Sequence, residues 1–554
     1  MASLNPRTGV LGKRLAAHLL RRATLGATRK EIDEFATKTA EEALTQLMNF
    51  PPLPDHPVDP KTGETWLISG QTPANSSNDE LKFIANSWWL HHALSPANGL
   101  NAFAKVTFFL HTSFSTSFKD LDRSEDHYYT LRLFMHFATG SYKDLALKIC
   151  LDNGMNDYLD IGESIKGNPN ENFAREFFEL FTIGKGPQIG DGDYTNYTED
   201  DIRAAARLLT GFRKNTDWDD PLYIDVETGL PAATPMIERH DVEDKAFSPA
   251  FNNTIITGRA TQETMVDEIR DLVDMIFNQP ATAVTICRRM YRQFVKTTIS
   301  EEAENDIIQP LAATLRNNNY QVVPVLRQLM TSQHFYDEDN DNNADEVIGA
   351  LIKSPMDLQT NIIRYFQVPI PDPAVDAFES YVTFFRWGVQ KRLSDACFDL
   401  FAPPDVAGYE PVFQAPDFNR LWISSKSIPA RYVLADEHLD GGEIMQMDVM
   451  AFVENTENIT DYDGMDPNGI MGPHQGARIA QHLLSELLSY LLPEEVSADR
   501  FDYFLNSILL DDLSELNWAN EWDMYKGTGD DSAIKPQLKK LVRAIIQSPE
   551  FQIG

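Results

Sequence analysis

Apolar residues recur at helical spacing along most of the chain, and the clearest run lies between Asn168 and Gly184. Phe173, Phe177, Leu180 and Phe181 fall on one helical face. Asn168 is placed to cap the first turn and Pro169 to open it, where a missing N–H costs nothing. Glu171 completes a capping-box pattern, and Gly184 fits a C-terminal cap. The remaining positions are densely polar: Asn170, Glu171, Asn172, Arg175, Glu176 and Glu179. Glu171, Arg175 and Glu179 fit an i,i+4 ion-pair ladder, each pair contributing about 0.2–0.5 kcal/mol. The competing reading turns Asn172, Arg175 and Glu176 toward a cleft that holds a ligand, a metal or a neighbouring loop.

The same periodicity predicts helices elsewhere. Within 11–50, Leu15, His18, Leu19 and Arg22 share a face, and Thr28 with Glu31 caps a second helix. Helices are expected over 81–97, 101–117 and 125–160. Thr198 to Asp201 cap another through Ala204, Ala205, Leu208 and Leu209, whose alanines permit close packing on the central helix. Stripes at Met265–Ile276 and Val284–Phe294 open a helical stretch over 261–368, and helices return at 475–492 and 534–552. Pro, Asp, Ser and Asn make 51–80 a surface loop; 213–260 is irregular with room for short strands. Residues 370–425 read as a proline-led loop packed by Trp422, and 440–472 as an acidic excursion. The expected fold is mainly α, a multi-helix bundle-like globule with long irregular loops and at most minor β. Its parts are N-terminal helices (1–50), the loop 51–80, a main helical core (81–368) and a C-terminal helical part (369–554) packed on that core.

Charge narrows the partners. The 554 residues carry 83 acidic and 48 basic side chains, a net charge of −35. That field repels nucleic acid and anionic membranes, and favours cationic ligands or divalent metals. No run of 18 uninterrupted apolar residues occurs, so no membrane span is expected. The first twenty residues lack the apolar core of a signal peptide, which implies an extracytoplasmic site if a leader has been removed and a cytoplasmic one otherwise. Cys150, Cys287 and Cys397 are far apart and form neither CxxC nor zinc spacing.

Candidate chemistry lies outside the central helix as well. His111 sits on a strongly apolar helix, either as a hydrogen-bonded core residue or as a functional one. His240 and Asp241 are adjacent, with Lys245 four residues on, a metal or acid/base pair in a loop or turn chemistry alone. Lys13, Arg14, Arg21, Arg22, Arg29 and Lys30 form the one basic patch, a solvated face bridging to acidic neighbours or an anion site. Between 337 and 346 oxygen side chains alternate at Asp337, Asp339, Asp341, Asn343 and Asp345, as in a calcium loop. An EF-hand needs glycine at the sixth position and glutamate at the twelfth, where this chain has Asn342 and Ile348. A solvated acidic loop is the alternative. No cofactor is fixed by these residues; a divalent cation, calcium or a transition metal, is the candidate.

Several blocks resemble the bacterial family called domain of unknown function 1800. They are AAHLLRRATLGAT (16–28), TFFLHTSFSTS (107–117), KGNPNENFAREFFELFTIG (166–184), YTEDDIRAAARLLTGF (197–212), ERHDVEDKAF (238–247), QPATAVTICRRMYRQFV (279–295), LMTSQHFY (329–336), IKSP (352–355) and PPDVAGY (403–409). The resemblance implies a mainly helical protein and a companion, sulfatase/phosphatase-like family as partner. In the family the second block commonly reads Phe-Trp-His-x-His-Phe; here Leu110 replaces the tryptophan, His111 is kept and Ser113 replaces the second histidine. A metal held by that pair would have lost one ligand in this chain. Two functions follow as expectations. In the first, His111, Asn172, Arg175, Glu176, His240 and Asp241 converge in a hydrolase-like cleft. Glu176 or His240 is its general acid/base, Arg175 its anion binder and a divalent ion its assistant. In the second, the polar helix is structural, and the chain is a non-catalytic binding or assembly protein working with that partner.

Overall fold

The computed structural model describes residues 2–67, 74–214, 223–339, 346–440, 444–454, 462–472 and 474–554. Helix takes 57% of the chain, and the only sheets described are two antiparallel pairs of two-residue strands, so the protein is mainly α. Both pairs fall inside the irregular 213–260 region and its edge: Phe212–Arg213 with Thr234–Pro235, and Lys245–Ala246 with Ile255–Ile256. Buried apolar side chains form one contiguous cluster running from Ala2 to Phe551. No helix among the described residues is long and apolar enough to cross a membrane.

Local sequence sets the helix starts. Thr28, Thr39 and Ser77 form capping boxes with Glu31, Glu42 and Glu80. The Thr198 N–H donates to the Asp201 carboxylate at 2.8 Å and opens Glu199–Leu208, which packs on the central helix. Phe103–Ser113 packs on Ser124–Phe137 and on Pro280–Phe294. Gly12–Ala23 packs on Arg29–Ala36 and, from the far end of the chain, on Ala480–Leu491.

The central helix starts two residues later than its sequence suggests. Asn168 is taken by a tight turn, donating to the Ile165 carbonyl at 2.9 Å. Asn170 therefore caps the helix, its side chain accepting from the Phe173 N–H. The α-helix Glu171–Glu176 then widens into a π-helical segment, Phe177–Phe181, and closes on Gly184, whose φ is +74°. Residues 378–395 are a further departure, being helical where a proline-led loop is expected. Phe378–Gln390 has wide π turns, which move its buried Tyr381, Phe384, Phe385 and Val389 off the 3.6-residue spacing. Glu515–Thr528 also escapes the pattern, because Trp518 and Trp522 are buried while Leu516 and Met524 are exposed.

Candidate functional site

Pro280–Phe294 is an amphipathic helix that buries Ala283, Ile286, Cys287, Met290, Tyr291 and Phe294. Its other side carries Arg288, Arg289 and Arg292, and these line a cavity of about 530 Å³. The facing wall combines the end of the Phe103–Ser113 helix (Phe109, Thr112, Ser113), the π turn of the central helix (Leu180, Phe181) and the loop that holds Val406 and Ala407. Gly408 lets that loop approach: at φ +105° a Cβ there would stand 3.0 Å from Ser115 Oγ. Four of the motif blocks quoted above, 107–117, 166–184, 279–295 and 403–409, thus meet around one space.

The cavity's charge opposes that of the chain. Lys185 joins the three arginines in lining it, and no Asp or Glu does so among the described residues. Two of these cations are paired at its edge. Arg288 binds Glu304 through two nitrogens at 2.9 and 2.8 Å, and Lys185 meets Glu179 at 2.9 Å. Among the described residues the other two have no carboxylate partner. Arg289 donates to the carbonyls of Ser113 (3.3 Å) and Leu180, oxygens left free where one helix ends and the other widens. Arg292 lies over the Phe418 ring at 5.0 Å, and its Nε finds no acceptor in the protein. Burial, reinforced by Arg288 and Arg289, pulls the Arg292 guanidinium below its ordinary pKa. The nearby hydroxyls are taken by backbone carbonyls: Ser113 and Thr112 donate to Phe109 in their own helix, and Thr285 donates across to Ile183.

Glu176 does not line this cavity but lies within electrostatic reach of Lys185, which does. Burial, and then Glu179, hold its carboxyl above the usual range, against Lys185 and Arg175. Asp405, next to Val406, pushes the same way. Its carboxylate accepts no hydrogen bond from the described residues. Arg175 turns elsewhere, making a bidentate pair with Glu199 at 2.6 and 2.8 Å, while Glu179 stays 3.9 Å away. Of the predicted ladder the Arg175–Glu179 step remains as a long contact, and the close partner of Arg175 lies on the next helix. The Arg175 side chain is 31% exposed, so this is a surface interaction worth roughly 0.2–1 kcal/mol. Asn172 is exposed.

The histidines lie in two further environments. His111 is buried against Phe134 and Phe401, and its Nε2 donates to the Thr116 carbonyl at 3.1 Å. His240 is enclosed by Thr210, whose carbonyl faces Nδ1 at 2.8 Å, and by Glu268, 3.1 Å from Nε2. Lys245 meets the same carboxylate at 2.9 Å, and Asp241 binds Arg207 at 2.8 and 3.1 Å. His111, Glu176 and His240 share no hydrogen-bond partner or ring contact.

The alternating acidic segment is used internally where it is described. Asp337 accepts the N–H groups of Val347 and Ile348 at 2.7 and 2.9 Å. Asp339 accepts from Ser3 and faces His334 Nδ1, both at 3.0 Å. Asp341 lies outside the described residues. Among the described residues, no group of three or more His, Cys, Asp or Glu is placed to hold a metal ion, so no donor set fits one and no step is routed through it. Cys150 and Cys287 are buried free thiols, as their apolar surroundings predict, and Cys397 is exposed.

The cavity arginines were not among the residues picked out by sequence. Their signal was Arg-Arg-x-x-Arg on one side of an amphipathic helix, an excess of cations in an otherwise acidic chain. Fold and site together define a mainly helical protein built around an arginine-lined cavity. The chain belongs to the DUF1800 family, proteins of unknown function, whose sequence profile matches residues 18–553. No curated protein and no solved structure matches it.

Proposed function

We propose that this protein binds a small anionic molecule with an apolar portion in the cavity lined by Arg289 and Arg292. The observation that carries the reading is the charge imbalance: among the described residues, two guanidinium groups without carboxylate partners face a space with no acidic lining. A buried cation is costly to leave uncompensated, and a bound carboxylate, phosphate or sulfate group offsets that cost. Phe109, Leu180, Val284 and Phe413 supply the apolar wall for the rest of the ligand. Titration calorimetry with 4-nitrophenyl phosphate, 4-nitrophenyl sulfate and benzoate tests this. At least one should bind, and Arg292→Met should weaken it about tenfold or more, as for loss of a charge-assisted contact. Equal binding by wild type and Arg292→Met, or no binding by any of the three, defeats the proposal.

A second, hydrolase-like reading rests on Glu176. A half-buried carboxyl with a raised pKa and no hydrogen-bond partner among the described residues, within electrostatic reach of the cavity's Lys185, has the properties of a general acid. If 4-nitrophenol is released from a bound ester, Glu176→Gln should abolish release and leave binding intact. Binding without release leaves the non-catalytic role, in which the same pocket recognises an anionic group of a ligand or of the sulfatase/phosphatase-like companion.

A further inference from the structure

Behind the outer cavity, across Arg292 and Gln293, lies an inner one of about 70 Å³. Arg21, Arg22, Lys105, Arg292 and Lys353 line it, and on the acidic side Asp357 and the main-chain terminus at Gly554 do so among the described residues. Lys105 pairs with that Asp357. Among the described residues Arg21, Arg22 and Lys353 are left without a carboxylate partner. So is Arg431, which lies against the group with its Nη2 on the Lys353 carbonyl at 2.9 Å. Arg22, Lys105, Lys353 and Arg431 are all buried. The basic patch, read from sequence as a solvated face or an anion site, is therefore divided. Lys13 and Arg29 do reach Glu486, at 3.4 and 2.6 Å, but Arg21 and Arg22 point inward.

Protein carbonyls satisfy only part of this cluster. Arg21 donates to Tyr490 and Leu492 (2.7 and 3.1 Å), Arg22 to Val347 (2.8 Å) and Lys353 to Phe551 (2.6 Å). Arg21 Nη1, Arg22 Nε and Arg431 Nη1 are buried with no acceptor in the protein. Burial pulls Arg22 down to about 9 and Arg21 to about 10, and holds Lys353 well below its usual range. The next nearest carboxylate acting on Arg22, that of Asp337, is already held by two backbone N–H groups. Ser354, the cap of the helix Pro355–Tyr365, brings the positive end of that helix to the same wall.

We infer that this inner cavity is a second anion site, which takes one compact tetrahedral oxyanion, phosphate or sulfate. Its volume suits the ion, since a water needs roughly 10–15 Å³ by the same measure. Three or four cations and unfilled N–H donors around so small a space are the donor set such an ion accepts. The two cavities share Arg292 and Gln293, while Arg21, Arg22 and Lys353 belong to the inner one alone.

The test is thermal unfolding in phosphate, in sulfate and in chloride at equal ionic strength, for wild type, Lys353→Met and Arg289→Met. Phosphate and sulfate stabilise proteins generally by exclusion from their surface, so the difference between proteins is what counts. One oxyanion should raise the wild-type Tm beyond that of chloride, Arg289→Met should keep the increment, and Lys353→Met should lose it. The relative increments for phosphate and sulfate identify the preferred ion. An increment equal in wild type and Lys353→Met overturns the inference. An increment lost in Arg289→Met alone assigns the ion to the outer cavity and overturns it equally. If Lys353→Met does not fold, wild-type protein is loaded with phosphate or sulfate, washed in chloride, denatured and assayed by ion chromatography. About one oxyanion per chain supports the site, and none overturns it.

Discussion

His111 is neutral where it sits. Burial pulls its pKa down to about 4, and its hydrogen bond to the Thr116 carbonyl opposes that only in part. In the unfolded chain the imidazole returns to about 6.5. Between these values the unfolded state binds the extra proton, so stability rises with pH over that window and is lost on acidification. The shift corresponds to about 3 kcal/mol at most. Urea unfolding from pH 4 to 7 of wild type and His111→Gln should show a slope smaller by one group's share in the variant, the rest being kept by His18, His92, His127 and His438, which burial pulls down in the same way; an identical slope would mean that the folded ring is already charged. Single side chains of this kind were only partly legible in the sequence. An apolar helix around His111 pointed to its burial, because neighbours at i±3 and i±4 are fixed by helix geometry. Arg175 was misread because its partner, Glu199, lies on another helix, and sequence spacing carries no information about cross-helix distance.

At the scale of elements, the loop 238–247 is fastened to the helix Met265–Phe277 through one carboxylate. Glu268 receives His240 and Lys245, and also the Arg259 N–H, with both the Lys245 and Glu268 side chains fully buried. Burial raises the Glu268 pKa, but His240, Lys245 and Arg259 outweigh it and keep it below the ordinary value. Glu268→Gln removes the charge and leaves Lys245 buried beside a neutral group, so it should destabilise the fold by about 3–5 kcal/mol. Denaturant titration measures this, and a loss below 1 kcal/mol would mean that water reaches Lys245. Elements with α spacing, capping residues and a single apolar stripe were readable in advance, including Glu199–Leu208 and Pro280–Phe294. Phe378–Gln390, with its wide turns, and Glu515–Thr528, with exposed Leu516 and Met524 beside buried tryptophans, were not, because the 3.6-residue apolar stripe is the signal being sought. The π turn at Phe177–Phe181 matters to the site, since the Leu180 carbonyl beside it is what Arg289 binds.

For the whole molecule, a net charge of −35 encloses two cavities whose charged side chains are mainly cations. Composition alone pointed toward cationic ligands, because a sum over residues does not record which charges are brought together inside. The two scales separate by distance. Repulsion among surface carboxylates acts over the Debye length, about 30 Å at 0.01 M salt and about 8 Å at 0.15 M. Contacts inside the cavities act over a few ångströms of low-dielectric space and are screened far less. Added sodium chloride should therefore relieve the self-repulsion of the compact state, an effect that outweighs the weakening of exposed ion pairs worth roughly 0.2–1 kcal/mol each. The expected outcome is a Tm that rises by several degrees between low and physiological salt, read by calorimetry. A falling Tm would show that the surface pairs, rather than the excess charge, dominate. The same field should repel long polyanions, whose charges would remain at the acidic surface. A compact anion loses that repulsion once its charge has entered a cavity, so the predicted selectivity is for small anions.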